Sequence, residues 1–519
     1  MIGDSSSGEI PVIPRKTAGL AANRLIYGCV GLLLAYSAIR EFVAASAKPI
    51  WLDEMLTWTV CLQGEWRQII NALFQGADGQ PPIFYVIERC ALHVTSNKEI
   101  ALRLPSILAF PCTLTCVFLY AKRRAGEFIA LMCAISLLMT AAFRFYATDA
   151  RPYSMVLACL ALALVCYQRV SAPLWAVIMG ASLALAESLH YFAILSMTPF
   201  AIAEVVYTWR KRKVRWRVWG ALACALVPLL LSLGILTNYR AMYGSHFWSR
   251  YSVSSVPTTY NRFLVLPATT FGVITAVICF GSVMSSWFFP SKSIRGVDSG
   301  ERDPVEGALM IGLLFLPITT FLITKILHGA MHDRYALAAV LGMALAFAGM
   351  KSLPNALRVI VIAFFGFVLC IHELLFWQSV RELSPKDSSA QLEVFVQKVG
   401  HVELPVAVAD ALIYFPLEFY ANPEQGTRFV YLVDTEKAIM YTGADTLDRN
   451  SVTLRQYLPY GMPDFKEFTR THPEFLMYVE NPTPDHDWLS KFLPSVASME
   501  VLREDSNQKV YLIRLKSHT

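Results

Sequence analysis

Charged residues are scarce in this chain. Asp, Glu, Lys and Arg make up 16% of its 519 residues, whereas hydrophobic residues make up 55%, and the mean hydropathy is +0.45. Soluble globular proteins carry a larger charged fraction. The composition therefore excludes an ordinary soluble enzyme and indicates a polytopic membrane protein.

Cysteine is missing from the last part of the chain. All 11 cysteines lie between Cys29 and Cys370, so the C-terminal region is expected to fold without disulfides. The Cys and His residues show no spacing typical of a metal site, and the C-terminal region has neither a glycine-rich phosphate loop nor a nucleophile motif. We expect no cofactor, and the sequence leaves a divalent metal open.

Long apolar runs recur up to about residue 378 and are absent after it. Runs of roughly 18 to 25 residues cross a hydrocarbon core as helices, and hydropathy predicts about eleven of them, the first retained rather than cleaved as a signal peptide. A shorter amphipathic run from Pro81 is expected to lie flat on the membrane surface. The predicted spans lie near residues 25–44, 101–121, 127–147, 153–168, 174–193, 195–209, 218–236, 268–288, 307–326, 336–350 and 358–377.

Basic residues fix the predicted orientation, because loops kept in the cytoplasm collect Lys and Arg. An odd number of spans with the N-terminus inside places both the first outer loop and the C-terminal region outside. The net charge of +6 is then mainly a topology signal, and no nucleic-acid partner is expected. The inner loops in this orientation contain KRRAGE, YQRV, WRKRKVRWR, PSKSIRGVDSGER and KSLPNALR.

Ionisable side chains gather at the outer ends of the predicted helices. Each costs a few kcal/mol at membrane depth unless it is paired or hydrated, so together they mark a candidate site. A structural salt bridge stays open for Asp149 and Arg151, a hydrogen-bonded core role for His190, and interfacial anchoring for Tyr335. The candidate residues are Asp53, Glu54, Arg103, Asp149, Arg151, His190, Tyr191, Arg334 and Tyr335.

Two adjacent carboxylates, Asp53 and Glu54, follow the first span in the stretch PIWLDEMLTW. Neighbours on a helix point about 100° apart, so one carboxylate can face a substrate while the other faces a basic partner. Without nearby cations one of them would take up a proton, and the outer arginines supply those cations. A capping role for Asp53 stays open. The residues expected to lay this segment on the outer membrane surface are Trp51, Leu52, Met55, Leu56 and Trp58.

A carboxylate base beside clustered arginines favours group transfer from a phosphate-linked donor. The base would remove a proton from an acceptor hydroxyl, and the cations would hold the phosphate leaving group. A lipid tail on that phosphate would place the reaction at the outer surface of the bilayer.

Four segments, WLDEMLTW, GQPPIFYVIER, ALRLPSILAFPCTLTCVFLYAKRRAG and RFYATDARPYSM, occur in this order. Together they resemble the N-terminal module of the GT-C membrane glycosyltransferases, in the bacterial family 39 branch related to protein O-mannosyltransferases and to the aminoarabinose transferase of lipid A. The resemblance covers most of the first 200 residues and extends more loosely through DRYALAAVLGMALA.

The resemblance implies a multi-pass enzyme of the bacterial inner membrane, a hexosyl- or pentosyltransferase. It would use a polyprenyl-phosphate-linked sugar donor and a lipid, glycan or protein acceptor. Carried over by position, Asp53 is the base of an inverting displacement and Glu54 its supporting acid. The residues expected at the donor phosphate and sugar are Arg103, Asp149, Arg151, Arg334 and Tyr335.

Three further residues, Gln80, His190 and Tyr191, are expected to line the cavity or the acceptor site. Relatives often carry His where this chain has Gln80. Glutamine can hydrogen-bond an acceptor but cannot take a proton at neutral pH, so the sequence does not predict a histidine-like role at this position.

The chain divides into two predicted regions. Residues 1–383 form a GT-C transmembrane catalytic domain whose first outer loop, 46–100, carries surface helices. Residues 384–519 form an extracytoplasmic α/β domain, expected to shape the acceptor side or cap the site. Its strand-like segments are LPVAVADA, TRFVYLVD, PEFLMYVE, SMEVLRED and KVYLIRLK, and its helix-like segments are QLEVFVQKVG, NSVTLRQYL, PDFKEFTRTH and DWLSKFLPS.

Two other functions stay open. A transporter or flippase of lipid-linked glycans would carry charges deep within helices and often an internal repeat; the sequence has no evident repeat, and its charges cluster at one face. A polymerase or ligase of lipid-linked polysaccharide would favour a large outer loop between late helices. The aromatic loop that begins at Asn238 keeps this second alternative open.

Overall fold

The computed structural model describes residues 15–244, 246–249, 252–263, 304–327, 329, 331–382, 392–421, 428–480 and 483–516. Its first part is helical. Helices in the order of the chain are α1 (Arg15–Ala47), α2 (Leu52–Cys61), α3 (Trp66–Phe74), α4 (Pro82–Ala91), α5 (Lys98–Ala125), α6 (Glu127–Ser136), α7 (Ala141–Ala147), α8 (Tyr153–Tyr167), α9 (Pro173–Leu189), α10 (Thr198–Lys211), α11 (Trp216–Ala225), α12 (Val227–Leu231), α13 (Leu233–Tyr243), α14 (Ser255–Phe263), α15 (Pro304–Leu314), α16 (Leu316–Ile326), α17 (Ala339–Ala346) and α18 (Asn355–Glu382).

Apolar helices coincide with the predicted spans wherever the chain is described. By length and composition, four helices in the described part can cross a membrane, or seven if each bent pair of helices counts as one span, and three shorter apolar helices accompany them. The predicted span 268–288 lies outside the described residues. The protein is thus a polytopic α-helical membrane protein, and the count of eleven spans stays a prediction.

One of the bent pairs has a clear cause. The axes of α15 and α16 are bent by 63° relative to each other, and Pro317 lies in the first turn of α16. Proline has no N–H to continue the hydrogen bonds of the preceding helix. The apolar run predicted at 307–326 is therefore one hydrophobic segment made of two short helices.

Three short helices, α2 to α4, occupy the loop between α1 and α5. The run from Pro81 forms α4, which begins with Pro82 in a position that suits proline. Phe84 and Tyr85 of α4 are fully buried, and α4 packs on α2, α5 and α9. This loop is therefore a folded layer on top of the membrane helices.

The C-terminal region is an α/β domain with one five-stranded sheet. The strand order is β2-β1-β3-β5-β4, with β1 parallel to β2 and β3, and β5 antiparallel to β3 and β4. Each strand lies within or next to a predicted strand segment, whereas α19 and α20 were not predicted. The elements are β1 (Val406–Val408), α19 (Ala411–Tyr420), β2 (Phe429–Val430), α20 (Thr435–Thr442), α21 (Thr446–Leu454), α22 (Phe465–Thr471), β3 (Glu474–Glu480), α23 (Trp488–Phe492), β4 (Ala497–Glu504) and β5 (Gln508–Leu515).

The C-terminal domain covers the apolar face of α2. Leu52, Met55 and Leu56 are buried in one core with residues of α19 and of the sheet, and Trp58 packs edge-on against Phe419 with ring centroids 6.0 Å apart. The expectation that these side chains lie on the membrane surface is wrong. An amphipathic helix needs an apolar partner, and here a second domain supplies it instead of lipid.

Candidate active site

α2 carries the two adjacent carboxylates in its first turn. Trp51 precedes the helix in an extended conformation, and its backbone N–H donates to Glu54 Oε2 at 3.3 Å. This contact is half of a capping box, and acidic groups near a helix N-terminus are also favoured by the helix dipole. Asp53 and Glu54 therefore share one turn but have different partners.

Glu54 and Arg103 form a closed ion pair. Arg103 Nε donates to Glu54 Oε1 at 2.7 Å and Nη2 to Oε2 at 2.6 Å, and neither side chain is exposed. The backbone N–H of Ala150 donates to Glu54 Oε1 at 2.9 Å. Burial raises the pKa of Glu54, but Arg103, Lys48 and the backbone N–H of Ala150 together lower the pKa below its ordinary value. Glu54 is an ionised anchor that joins α2 to α5 and to the turn at residues 149–151.

Arg103 donates all five of its N–H groups within the protein. Besides its two bonds to Glu54, Nη1 donates to the carbonyl oxygens of Ala45 and Lys48, each at 2.6 Å, and Nη2 to that of Pro49 at 2.9 Å. These contacts hold the segment that leads from α1 into α2. In this conformation no N–H of Arg103 is left for the donor phosphate that the sequence resemblance places near it.

Asp53 faces two arginines, Arg334 and Arg151, and remains partly exposed. The three residues are called the open pair, in contrast to the closed pair of Glu54 and Arg103. Asp53 Oδ2 is 2.7 Å from Arg334 Nη1 and 3.9 Å from Arg151 Nε, and its side chain is 18% exposed. Burial raises the pKa of Asp53, but Arg151 and Arg334 outweigh burial and lower the pKa below its ordinary value. The Nε–H groups of both arginines are buried without a hydrogen-bond partner among the described residues. Because an unpaired buried donor is costly, this arrangement suits a further anion beside Asp53.

Arg151 is fixed by Asp78, a residue that was not predicted from the sequence as part of the site. Arg151 Nη1 and Nη2 donate to Asp78 Oδ2 and Oδ1 at 2.5 and 3.2 Å. Nη1 also donates to Thr57 Oγ1 and to the backbone oxygen of Asp53, both at 3.1 Å. Asp78 is 3% exposed. The only sequence signal for it is an acidic residue in the loop two positions before Gln80.

The turn that contains Asp78 also presents Gln80. A Cβ at the intervening Gly79 would lie 2.9 Å from the ring of Tyr239, so glycine permits the close packing of this turn against α13. Gln80 is 6% exposed, and its Oε1 is buried without a hydrogen-bond partner among the described residues. Such an oxygen can accept an O–H from a ligand.

Asp149 ties the neighbouring turn to the start of α2. Its Oδ1 accepts a hydrogen bond from Trp51 Nε1 at 2.6 Å and lies 3.5 Å from Lys48 Nζ. The side chain is fully buried, and burial raises the pKa of Asp149 to about 6 although Lys48 lowers it. Asp149 thus contacts the segment before α2, while Arg151, two residues later, contacts Asp53.

A narrow cavity extends from Arg334 between the membrane helices. Its apolar lining comes from α8 and from residues 337–338. Tyr191 is buried directly beside His190 in the chain, whereas Phe192 and Ala193 line the cavity. The polar residues in the lining are Tyr153, His190, Ser196, Arg334 and Tyr335.

His190 and Tyr335 are held among aromatic rings. Tyr335 stacks on Phe192 with ring centroids 3.8 Å apart, and His190 Nδ1 accepts the backbone N–H of Phe192 at 3.1 Å. His190 is therefore a buried, hydrogen-bonded side chain in the wall of the cavity.

A second buried charge cluster links α1 with α18. Arg40 is fully buried, donates from Nε to Glu373 Oε2 at 2.9 Å and pairs with Glu41 as well. Arg144 Nη1 lies 3.2 Å from His372 Nε2. No sequence pattern predicted Arg40, Glu41 or Glu373 as members of a cluster. Buried charges at membrane depth need partners, and Glu373 and His372 of α18 supply them to Arg40 of α1 and Arg144 of α7.

The described residues contain no group of three or more His, Cys, Asp or Glu side chains arranged to hold a metal ion. Asp53 itself has two guanidinium groups as its neighbours. Such surroundings attract an anion rather than a further cation.

Comparisons with known proteins agree with the motifs. Residues 79–234 match the family model described as dolichyl-phosphate-mannose-protein mannosyltransferase. This range contains Gln80, Arg103, Asp149, Arg151 and His190, whereas Asp53 and Arg334 lie outside it. No curated protein matches the chain.

The chain is also similar to two solved structures of ArnT from Cupriavidus metallidurans. The one bound to undecaprenyl phosphate shares 16% identity over 93% of this chain and 98% of that chain, with a TM-score of 0.42. The apo structure shares 13% identity over 94% and 98%, with a TM-score of 0.44. A superposition this loose permits no residue-by-residue comparison. The resemblance of the chain to the GT-C membrane glycosyltransferases, drawn from its sequence motifs, is confirmed by the family match.

Proposed function

We propose that the protein transfers a sugar from a polyprenyl-phosphate-linked donor to an acceptor hydroxyl at the outer face of the membrane, with Asp53 as the base. One observation carries this proposal. Asp53 lies between Arg334 and Arg151, and each arginine keeps a buried Nε–H without a partner among the described residues. A base and an anion site are therefore side by side, as transfer from a phosphate-linked sugar requires.

The reaction is a single displacement. Asp53 takes the proton of the acceptor hydroxyl while the hydroxyl oxygen forms a bond to the anomeric carbon. The bond from that carbon to the phosphate oxygen breaks, and its electron pair leaves with polyprenyl phosphate. Arg334 and Arg151 stabilise the charge that grows on the phosphate, so the leaving group needs no acid. Displacement from the opposite side inverts the anomeric configuration.

The cavity beside Arg334 supports a lipid-linked donor. A guanidinium group contributes to its lining together with aliphatic side chains of α8. A phosphate with an isoprenoid tail has the same combination of one charged group and an apolar chain. The cavity volume is about 20 Å³, room for about one water molecule, so the surrounding helices would have to part for the tail to enter. Tyr335 and His190, in the same lining, are proposed to contact the donor.

Glu54, Arg103 and Asp149 are proposed to position the site rather than to contact the substrate. Glu54 and Arg103 use their polar atoms on the segment between α1 and α2 and on the turn at residues 149–151, and Asp149 Oδ1 accepts from Trp51 at the start of α2. This proposal replaces the sequence-based placement of Arg103 and Asp149 at the donor. Asp78 takes a comparable role, because it holds Arg151.

The acceptor side is proposed to lie at the first outer loop. Gln80 Oε1 is unpaired among the described residues, and Gln80 with Tyr191 is proposed to contact the acceptor. The C-terminal domain covers α2 directly and would limit the size of the acceptor. The outward orientation follows from the basic loops predicted inside.

The test is transfer by the purified protein. Radiolabelled polyprenyl-phosphate sugars, hexoses and pentoses in separate reactions, are incubated with the protein and with lipid, glycan or peptide acceptors. We expect transfer from one donor class, and a loss of about 10²- to 10⁴-fold in Asp53→Asn, the range of a general base. Wild-type rates in a folded Asp53→Asn protein would overturn the assignment of the base. Absence of transfer from every donor would overturn the proposed function.

A further inference from the structure

The two arginines beside Asp53 are held very differently. Arg151 has four hydrogen bonds within the protein, two of them to the buried carboxylate of Asp78. The guanidinium of Arg334 has one hydrogen bond to the described residues, from Nη1 to Asp53. Arg151 is therefore fixed in place, whereas Arg334 can change its partner at the cost of a single contact.

The surroundings of Arg334 allow such a change. Its guanidinium carbon lies 5.6 Å from the ring centroid of Tyr153 and 5.8 Å from those of Trp248 and Tyr335. Aromatic faces attract a guanidinium without fixing its direction. Its backbone is anchored separately, since the N–H of Arg334 donates to Asp333 Oδ1 at 2.8 Å. The side chain can thus turn while its chain segment stays in place.

We propose that the donor phosphate exchanges partners with Asp53: the phosphate takes the N–H groups of Arg334, and the carboxylate is thereby released to act as a base. This inference rests on the proposed function. Arg334 and Asp53 are ion-paired before the donor binds, so the carboxylate is held as a weak base. After the exchange the phosphate is bound by Arg334 and the unpaired Nε–H of Arg151, and Asp53 is free to accept a proton from the acceptor hydroxyl.

The exchange imposes an order on the reaction. Asp53 becomes available to an acceptor hydroxyl only in a protein that already holds a phosphate-linked donor. A water molecule or acceptor that arrives first meets a carboxylate whose Oδ2 is already bound at 2.7 Å by Arg334. The same ion pair that weakens the base also competes with the donor phosphate for Arg334. Removing the charge of Asp53 should therefore strengthen phosphate binding.

The experiment measures binding of polyprenyl monophosphate to the purified full chain in detergent, without any acceptor. Wild type is compared with Asp53→Asn, and polyprenol, which lacks the phosphate, is the matched ligand. We expect Asp53→Asn to bind polyprenyl phosphate about tenfold more tightly, the effect of one charge-assisted hydrogen bond that is no longer shared. Polyprenol should bind both proteins equally. Inorganic phosphate should bind both proteins more weakly than polyprenyl phosphate, but with a gain in the same direction, because the exchange acts on the phosphate group.

Two further variants keep the test decisive. Asp53→Ala should show the same gain, and it serves if Asp53→Asn does not fold. Arg334→Gln should bind polyprenyl phosphate more weakly than wild type, and Asp53→Asn added to Arg334→Gln should bring no gain. Equal or weaker binding in both folded Asp53 variants would overturn the exchange. Transfer activity in wild type together with that result would leave the proposed function intact, so the two failures are distinguishable.

Discussion

Asp53 and Glu54 are neighbours in the chain, yet their surroundings are opposite. Glu54 is sealed from solvent, and its oxygens accept from Arg103 and from the backbone of Ala150. Asp53 keeps partial exposure and faces two arginines that each retain an unpaired Nε–H among the described residues. The closed pair has no capacity for a ligand, whereas the open pair does.

Within one turn of α2, therefore, one carboxylate has a structural environment and the other has an environment that suits a ligand. A buried ion pair whose donors and acceptors are all used is costly to break and contributes geometry. An ion pair with unused buried donors carries the free-energy cost of those unsatisfied N–H groups, and a bound anion would remove that cost by accepting their hydrogen bonds. Glu54 and Arg103 therefore fix the position of α2, and the proposal assigns the chemistry to Asp53 with Arg334 and Arg151.

The largest effect is expected from breaking the closed pair. Glu54→Gln leaves Arg103 buried without a counter-charge, which costs about 3–5 kcal/mol. Thermal unfolding in detergent should detect a clear loss of stability. The exposed Glu393 in the C-terminal domain provides a matched control, since Glu393→Gln should change stability by less than about 0.5 kcal/mol. Equal stability of the two variants would show that the closed pair is not structural.

Breaking the open pair from the arginine side should affect transfer more than folding. Arg334→Gln is expected to lower kcat/KM for the donor about a hundredfold, because a charge that stabilises the leaving phosphate is lost. Arg334→Lys keeps the charge, so its kcat/KM for the donor should lie between those of wild type and Arg334→Gln. Arg262→Gln removes a neighbouring, half-exposed arginine that contacts Asp333, and donor kinetics there should stay near wild type. A larger loss of kcat/KM in Arg262→Gln than in Arg334→Gln would show that the donor phosphate does not bind at Arg334.

A smaller effect is expected when the fixed arginine is loosened. Asp78→Asn removes the carboxylate that holds Arg151 while keeping its size. The KM for the donor should rise about tenfold, the energetic equivalent of one charged hydrogen bond, while Arg334 remains. Initial rates at varied donor concentration measure this. An unchanged KM would mean that Arg151 needs no anchor or does not bind the donor.

The smallest effect is expected on the acceptor side. Gln80→Ala removes one hydrogen-bond acceptor, so the KM for the acceptor should rise a few-fold, about 1 kcal/mol, with donor binding unchanged. Gln80→His, which restores a hydrogen-bonding side chain, should recover much of the loss. A change in donor KM without a change in acceptor KM would move Gln80 to the other substrate.

Local sequence patterns predicted much of the fold, but they did not predict the long-range contacts between its elements. Each described span follows from a run of apolar residues, and each strand of the C-terminal sheet from its apolar pattern. Whether Arg103 has free N–H groups depends on where the backbone of Ala45, Lys48 and Pro49 passes, which no spacing reveals.

The missed features have the same physical origin. Asp78 is significant only because a turn brings it within hydrogen-bond distance of Arg151, 73 residues later. The apolar face of α2 has the same pattern whether it meets lipid or protein, so the sequence could not distinguish the membrane from the C-terminal domain as its partner. Charge sign and position in the loops were sufficient to bring Asp53, Arg151 and Arg334 together as candidates.

The most direct test of the division between the two carboxylates compares Asp53→Asn with Glu54→Gln in one pair of assays, transfer from labelled donor and thermal unfolding. Asp53→Asn should lose about 10²- to 10⁴-fold in transfer rate with a smaller loss of stability than Glu54→Gln. Glu54→Gln should lose more stability than Asp53→Asn, and its transfer rate per folded molecule should fall less than that of Asp53→Asn. A stable Glu54→Gln protein without transfer, beside an active Asp53→Asn protein, would contradict the account and make Glu54 the base.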